Sequence, residues 1–397
     1  MKFMLGATAT AVGLALLAAV PAIAAEPIKI GTVLSYSGVY AAIGEEITNA
    51  MELAFAEVGG AIDGRPLQVI RGDSETKPNV ALAKATELVK SENVDILVGP
   101  VASPEAMAMR DFVTASKVPL IIPNAGANVV TGAKCSPYVI RLSFSNDQFV
   151  RPMGKWLFDH GVKTAFLLAP DYAAGHELMD GFKAPYTKVG GKIVGEEYTP
   201  FGQTKDFGPY LAKVKAAKPD AVFVFYAGGE AINFIKQAAD FKLQDTVKLT
   251  GAGWTVSPLF LPAQGQAAVG FIGSLNYVPT LDNPENKKFQ SEYQAKYHRV
   301  ASEFGAQGYE AGRMIVEALK QTKGATKDKT ALTKALQGVS FNGPRGPLKI
   351  DPATNNVIQN MYVFQAKSAA DGKGVDLVVL DTIKDVKDEP NGCKMNF

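Results

Sequence analysis

The chain has 397 residues, of which 47% are hydrophobic and 20% are charged, as is typical of a globular protein with room for two domains. Lys and Arg are interspersed with Asp and Glu, and the formal net charge is only +2. This balance excludes the basic surface that nucleic-acid binding needs, so we expect no nucleic-acid partner.

The N-terminus has the features of a secretory signal peptide. An uncharged stretch over residues 3–25 contains a short apolar core at 12–20, and Ala22-Ile23-Ala24 supplies the small residues of a cleavage site. The short core and this site disfavour the alternative, an N-terminal membrane anchor. We therefore expect residues 1–25 to be a signal peptide and the mature protein to work in an oxidising compartment.

From residue 27 onwards, apolar runs alternate with amphipathic stretches, as strands alternate with helices in α/β proteins. Ile47, Met51 and Ala54, for example, lie at helical spacing on one face, and Gly59-Gly60 follows as a helix end. The predicted strands of this first series are 28–34, 66–71, 96–98, 118–122 and 138–142, and the predicted helices are 44–58, 79–90 and 104 to about 114.

The loop around Ser103 is the first candidate binding site. It follows the apolar run 96–98, which is typical of a parallel strand covered on both faces. Ser103 stands at the expected N-cap and Pro104 at the first helical position. The loop then aims backbone N–H groups, a hydroxyl and a positive helix end above the sheet, which favours a carboxylate or a similar anion. The alternative is that Ser103 only caps its helix.

A second series of alternating elements follows a first crossing between domains at 143–148. Two such series predict two doubly wound α/β domains, with six loops at the carboxyl ends of their strands facing a shared cleft. The predicted strands are 164–169, 192–198, 220–226, 247–250 and 270–275, and helices end near 189, 216 and 241. Three helices then occupy 284–297, 304–322 and 328–337, and short strands occupy 348–350, 360–365 and 375–380.

Motifs for catalysis or cofactor binding are missing from the sequence. Gly251-Ala-Gly253 follows a strand, but Val256 replaces the third glycine of a dinucleotide loop. The sequence has no phosphate-binding loop, no nucleophile elbow and no calcium loop. Binding loops without such machinery favour a binding protein over an exported enzyme, and we expect no cofactor.

The cysteines and histidines point to a disulfide and away from a metal site. Two cysteines in an exported chain, Cys135 and Cys393, favour a disulfide that would tie down the C-terminal tail; two buried thiols are the alternative. His160, His176 and His298 are scattered without ligand spacing, so we expect no metal.

Taken in order, these loops resemble the periplasmic substrate-binding proteins of ABC importers, in the Leu/Ile/Val-binding branch with the type I periplasmic-binding fold. The likeness covers the mature chain. The residues that carry it are Ile28-Lys-Ile-Gly31, Ser37-Gly38, Gly44, Asp73, Val98-Gly99-Pro100 with Ser103, 119–123, Tyr138-Val-Ile-Arg141, Asp147-Gln148, 171–175, Pro219-Asp220-Ala-Val and Gly308-Tyr309.

The resemblance implies two doubly wound Rossmann-like lobes joined by a three-crossing hinge. The N-terminal lobe would hold 26–142 plus 279–358, and the C-terminal lobe 143–278 plus 359–397. Such a protein is a periplasmic monomer that closes on a small-molecule ligand by hinge motion and delivers it to the membrane subunits of an ABC permease.

The resemblance also implies which residues bind the ligand. The hydroxyl of Ser103, nearby N–H groups and the loop at 124–126 would hold its carboxylate, loops 172–175 and 226–229 would close from the other lobe, and Phe304 would form an aromatic wall. The candidate ligand-binding residues are Ser37, Tyr40, Ala102, Ser103, Asn124, Ala125, Gly126, Tyr172, Tyr226, Gly228, Trp254, Tyr277 and Phe304.

One departure from the branch bears on the ligand. Its amino-acid binders carry an acidic residue after the strand that ends here at Thr250, where this chain has Gly251-Ala-Gly-Trp254. A buried ammonium without a carboxylate partner is costly, although Glu230 is an alternative partner. Trp254 and the other candidate aromatic residues suit a flat slot, unless they only pack in the core. We therefore favour an aromatic acid.

Several alternatives stay open. A branched-chain amino acid is the second candidate ligand, and a ligand-sensing partner of a signalling receptor is a further candidate function. Arg141 and Arg151 are additional candidates for meeting a carboxylate, although Arg141 lies near the crossing and favours a structural role.

Overall fold

The computed structural model describes residue 1 and residues 26–370, 372, 374–389 and 391–395. The predicted signal peptide lies outside the described residues except for Met1. None of the helices in this part of the chain is both long enough and apolar enough to cross a membrane.

Strands and helices alternate along most of the described chain. In chain order the strands are β1 (Ile28–Leu34), β2 (Ala61–Ile62), β3 (Arg65–Asp73), β4 (Ile96–Val98), β5 (Leu120–Ile122), β6 (Val139–Arg141), β7 (Thr164–Pro170), β8 (Lys192–Thr199), β9 (Ala221–Val224), β10 (Lys248–Ala252), β11 (Ile272–Leu275), β12 (Ser340–Gly343), β13 (Gly346–Ile350), β14 (Val357–Ser368) and β15 (Val375–Val386). The α-helices are α1 (Ala41–Ala56), α2 (Pro78–Lys90), α3 (Ser103–Ser116), α4 (Asn128–Thr131), α5 (Asn146–Asp159), α6 (Ala173–Lys188), α7 (Gly208–Ala217), α8 (Gly228–Asp240), α9 (Leu261–Gln264), α10 (Pro284–Tyr297), α11 (Glu303–Gln321) and α12 (Lys329–Gln337). Short 3-10 helices occupy Leu243–Asp245, Gly253–Val256 and Gly265–Ala268.

Within the described residues the strands form two sheets. The first has the order β2-β3-β1-β4-β5-β6 and is parallel except for the β2–β3 pair. The second has the order β12-β13-β14-β11-β10-β9-β7-β8, with β15 on β14. The strands β7 to β11 pair in parallel, whereas β14 runs antiparallel to β11 and β15. Each sheet carries its own helices and forms the centre of one lobe, except that β12 and β13, at the edge of the second sheet, pack their apolar side chains into the core of the first lobe.

The first lobe includes helices from distant parts of the chain, because α11 packs along α1. Two glycines of α11 permit this close approach. A Cβ at Gly308 would lie 2.2 Å from the carbonyl oxygen of Ile47, and a Cβ at Gly312 would lie 2.8 Å from the Cβ of Ala54. The helical pattern read at 44–58 therefore corresponds to a buried helix face.

The structure adds one long helix, α5, that the sequence analysis did not include. Its N-cap Ser145 accepts a hydrogen bond from the backbone N–H of Gln148 at 3.0 Å, and the backbone N–H of Ser145 donates to the Gln148 side chain at 3.2 Å. This capping box is a readable start signal. Pro152 inside the helix obscures it, since proline normally marks a helix end.

The chain passes between the lobes after β6, after β11 and on entering β14. A buried polar network holds these crossings together. Asn276 donates to the carbonyl of Ser143 at 3.2 Å, and Gln359 donates to the same carbonyl at 2.6 Å. The guanidinium of Arg345 also donates to Ser143 and forms a fully buried ion pair with Glu310. The lobe boundaries at 142/143, 278/279 and 358/359 stay a prediction.

Candidate functional site

A pocket lies between the two lobes, at the carboxyl ends of the parallel strands. Its atom-free space, with the open mouth included, is about 360 Å³. All six loops expected to face the cleft contribute to it. The lining residues are Tyr40, Ile43, Val101, Ser103, Asn124, Gly126, Phe144, Asn146, Tyr172, Ala174, Phe225, Ala227, Trp254 and Phe304.

The N-termini of six described helices meet at this pocket. Ser103 and Asn146 are the first residues of α3 and α5, Tyr40 and Ala227 are the N-caps of α1 and α8, and Ala174 and Phe304 lie in the first turns of α6 and α11. Each N-terminus carries partial positive charge from its unpaired N–H groups. Among the described residues that line the pocket, none has a charged side chain. The site therefore favours a bound anion through its helix N-termini, and no cationic side chain of the described residues lines it.

Ser103 is not the N-cap of α3, contrary to the sequence expectation. The N-cap is Ala102, whose extended backbone precedes a helix that begins at Ser103. The backbone N–H of Ala102 donates instead to the Glu105 carboxylate at 2.8 Å, and burial raises the pKa of Glu105 to about 7. The Ser103 hydroxyl is thus released from capping, and its oxygen accepts from Asn146 Nδ2 at 3.2 Å. Ala102 itself lies outside the lining.

Aromatic side chains form the walls of the pocket. The Trp254 ring stacks on Phe149 with centroids 3.8 Å apart and contacts Phe144 at 4.7 Å. From opposite lobes, the hydroxyls of Tyr40 and Tyr172 lie 3.1 Å apart in a hydrogen bond across the cleft. Burial raises the pKa of both tyrosines, so both hydroxyls stay protonated. The lobes are therefore closed around a mostly apolar slot.

Two buried polar atoms of lining residues have no hydrogen-bond partner within the described chain. They are Oδ1 of Asn124 and Nε1 of Trp254. The Asn124 amide nitrogen donates to the Val101 carbonyl at 2.8 Å, which sets the orientation of that amide. Because unsatisfied buried groups are costly, these atoms offer one acceptor and one donor to a ligand.

Two predicted tyrosines lie away from the pocket. Tyr226 is fully buried, packs on Phe207 with centroids 4.9 Å apart, and its hydroxyl lies 3.3 Å from the hydroxyl of Thr199. Tyr277 is also fully buried, and its hydroxyl donates to Asn286 at 2.6 Å. Both rings pack in the core. Core packing was the alternative role given to every candidate aromatic residue.

Three further candidates also lie outside the lining. Ser37 is exposed, and its backbone N–H donates to Asp73 at 3.2 Å. Ala125 is buried, and its N–H donates to the Pro100 carbonyl at 3.2 Å. Gly228 sits where a Cβ would lie 2.5 Å from the carbonyl oxygen of Val39, so it permits close contact between the lobes.

The structure brings together seven of the predicted residues and adds seven that were not among the individually named candidates. Asn146 is the chief omission, because its contact with Ser103 joins loops 43 residues apart, a distance that local patterns do not cover. The capping box around it was the available signal. The other additions are Ile43, Val101, Phe144 and Phe225, together with Ala174 and Ala227, which lie in the loops 172–175 and 226–229 that were expected to close from the other lobe.

The charged candidate residues form hydrogen bonds and ion pairs outside the pocket lining. The carboxylate of Glu230 accepts from the backbone N–H of Thr204 at 3.1 Å and does not line the pocket. Arg141 is fully buried and pairs with Asp388, whereas Arg151 pairs with Asp147 and Glu389. Neither an ammonium partner nor a guanidinium is therefore present in the described lining.

Comparisons with known proteins agree with this architecture. The family model of the periplasmic binding proteins matches residues 27–373. The Leu/Ile/Val-binding protein homolog 6 of Brucella melitensis is 30% identical over 352 residues, which cover 88% of this chain and 90% of the relative.

Solved structures are also similar to this chain. A solute-binding protein of an ABC transporter from R. palustris, solved in complex with benzoate, has a TM-score of 0.87 and 36% identity, over 93% of this chain and 99% of the other. A solute-binding protein from Rhodopseudomonas palustris BisB5, in complex with 3,4-dihydroxybenzoic acid, has a TM-score of 0.86 and 32% identity, over 91% and 98%.

These matches confirm the family resemblance and the expected pair of α/β lobes. The pocket lies at the strand ends, where open α/β sheets bind ligands. The chain belongs to the periplasmic binding protein family, as a type I, Leu/Ile/Val-binding-like substrate-binding protein of an ABC transporter.

Proposed function

We propose that this chain works in the periplasm as the binding component of an ABC importer, closes on an aromatic carboxylate and delivers it to the permease subunits. The observation that carries the proposal is the convergence of six helix N-termini on a pocket whose described lining has aromatic walls and no charged side chain. The helix ends favour the carboxylate, and the walls favour a flat apolar ring.

The ligand has a defined orientation in this proposal. Its carboxylate lies at Ser103 and Gly126, and its ring lies between the aromatic residues of the two lobes. Asn124 Oδ1 and Trp254 Nε1 are available to polar ring substituents. The similar proteins solved with benzoate and 3,4-dihydroxybenzoic acid support this ligand class. Binding, rather than catalysis, is the whole of the activity.

A branched-chain amino acid is the second candidate, supported by the relative named for Leu/Ile/Val binding. The lining disfavours it. A ligand ammonium would lie among helix N-termini, which repel a cation, and Glu230 already accepts from Thr204. No carboxylate lines the pocket within the described residues.

A binding screen tests the proposal. The mature chain, freed of carried-over ligand, is melted with benzoate, 4-hydroxybenzoate, the uncharged analogue benzamide, and leucine. A ligand at 100 times its Kd adds about 2.7 kcal/mol of stability, which a raised Tm reports. We expect both benzoates to raise Tm and benzamide and leucine to have little effect. A response to leucine alone would favour the second candidate, and no response to any carboxylate would overturn both.

A further inference from the structure

Glu177 lies behind the pocket and contacts it through Asn146. It is a partly buried residue of α6, the helix of the second lobe whose first turn lines the pocket. A single atom of its carboxylate, Oε2, accepts two hydrogen bonds: from Asn146 Nδ2 at 2.7 Å and from the backbone N–H of Asn128 at 3.0 Å. Asn128 belongs to the first lobe, so Glu177 bridges the two lobes beside the ligand site.

The bond from Asn146 to Glu177 determines how the Ser103 hydroxyl can act. An amide nitrogen only donates, and Asn146 Nδ2 directs one hydrogen at Glu177 and the other at Ser103 Oγ, 3.2 Å away. The Ser103 oxygen therefore accepts, and its own hydrogen remains for a ligand. A flipped amide would bring Asn146 Oδ1 against the carboxylate, so Glu177 disfavours that orientation.

We propose that Glu177 is a positioning residue for ligand binding, which orients Asn146 so that the Ser103 hydroxyl donates to the ligand carboxylate when the lobes close. The inference rests on the proposed function, because it needs a carboxylate at Ser103. It assigns to Glu177 an effect that passes through Asn146 and requires no contact with the ligand.

Two substitutions separate positioning from charge. Glu177→Gln keeps an oxygen that can accept from both Asn146 and Asn128, whereas Glu177→Met keeps the length and removes the acceptor. We expect Glu177→Met to weaken benzoate binding about tenfold, the scale of one hydrogen bond to a charged group, and Glu177→Gln to stay within about threefold of wild type. Asp180→Met is the control, because Asp180 lies on the same helix and pairs with Lys183 on the surface.

A double-mutant cycle with Ser103→Ala tests whether Glu177 affects ligand binding through Ser103. If Glu177 acts through Ser103, Glu177→Met changes the benzoate Kd less than about threefold in the Ser103→Ala background. The Kd values come from calorimetry, and the Tm of each ligand-free variant reports folding. Glu177→Ala replaces the Met variant in the same cycle if the latter does not fold.

Several results would overturn the inference. They are wild-type affinity in Glu177→Met, equal losses in the Gln and Met variants, or additive losses with Ser103→Ala. Each leaves the proposed function intact, provided that wild-type protein binds benzoate. A wild-type protein that binds no aromatic carboxylate overturns the proposed function and this inference together.

Discussion

Gly126 lines the pocket at a position that has no room for a side chain. A Cβ at this position would lie 2.1 Å from Asn146 Oδ1 and 2.7 Å from the ring of Phe144. Neither neighbour has room to retreat, because Asn146 is hydrogen-bonded to Ser103 and Phe144 packs on Trp254. A side chain at residue 126 would therefore displace the groups expected to hold the ligand carboxylate.

We expect Gly126→Ala to weaken binding of an aromatic carboxylate about 5- to 150-fold, because overpacking by one methyl group typically costs 1–3 kcal/mol. Calorimetry with benzoate measures the change. Gly229→Ala is the matched control, since a Cβ there would meet nothing within 4 Å and should leave affinity unchanged. Equal affinities for the Gly126 variant and wild type would show that the ligand does not use this loop.

The direction of a single side chain could not be predicted from the sequence. Tyr172 and Tyr226 both follow buried strands, and their spacing from the strand ends does not tell which one faces the cleft. In the structure Tyr172 lines the pocket, while Tyr226 packs between Phe207 and Phe234. The direction depends on the packing of neighbouring helices, which no local pattern records.

At the scale of elements, the alternation of strands and helices was largely readable, because buried parallel strands and amphipathic helices carry distinct periodicities. The missed elements include α5, β2 and β12, and the first two have local causes. The helix α5 contains Pro152, and the short strand β2 has only two residues in a hairpin with β3. The N-cap of α3 was predicted at Ser103, one residue after the observed N-cap Ala102, which is within the usual uncertainty of a helix boundary.

The pairing of α1 with α11 predicts a sensitive position at Gly308. An added Cβ would lie 2.2 Å from the carbonyl oxygen of Ile47, a backbone atom of a buried helix that cannot rotate away. We expect Gly308→Ala to destabilise the protein by about 1–3 kcal/mol in urea unfolding, despite the better helix propensity of alanine. A gain in stability, as alanine would give on an exposed helix face, would contradict this packing.

The first turn of α11 contains a carboxyl group with an unusual proton affinity. Glu303 is fully buried and accepts from the hydroxyl of Ser257, a residue of the second lobe, at 3.0 Å. Burial raises the pKa of Glu303 from 4.5 to about 8, more than this hydrogen bond lowers it. The folded protein therefore holds a proton on Glu303 at neutral pH that the unfolded chain releases.

This difference makes part of the stability depend on pH. Between about pH 4.5 and pH 8, the contribution of Glu303 to the free energy of unfolding falls as pH rises. The total fall is at most about 1.4 kcal/mol for each unit by which the pKa differs between the folded and unfolded states. Glu303→Gln removes the titrating group. We expect its unfolding free energy in urea, relative to wild type, to increase from pH 5 to pH 8.

The control for this measurement is Glu317→Gln, because Glu317 lies on the same helix with 41% of its side chain exposed. Its stability should follow the pH dependence of wild type. Parallel curves for Glu303→Gln and wild type would show that Glu303 is ionised in the folded protein.

On the scale of the whole molecule, the C-terminal tail adds a fourth connection between the lobes. After β15 leaves the second sheet, Asp388 becomes buried and accepts from the hydroxyls of Ser145 at 2.7 Å and Thr131 at 3.1 Å. Cys393 then forms a disulfide with Cys135 of the first lobe. The expected disulfide is thus present, although it anchors to the first lobe a tail that was assigned to the second.

We expect the double substitution Cys135→Ser, Cys393→Ser to lower the stability of the protein by about 2–4 kcal/mol and Tm by several degrees. The bond closes a loop of 258 residues, and a cross-link of this length strongly restricts the unfolded chain. Calorimetry of the ligand-free protein measures Tm. The buried contacts of Asp388 should still hold the tail, so the variant should fold and bind ligand.

Reductant provides the matched control for this change. Added to wild type, it should lower Tm to the value of the double variant, because it breaks the same cross-link. Added to the double variant, it should change nothing, since Cys135 and Cys393 are the only cysteines of the chain. If wild type and the double variant had the same Tm, the contacts of Asp388 and its neighbours would hold the tail, and the disulfide would contribute little to the fourth connection.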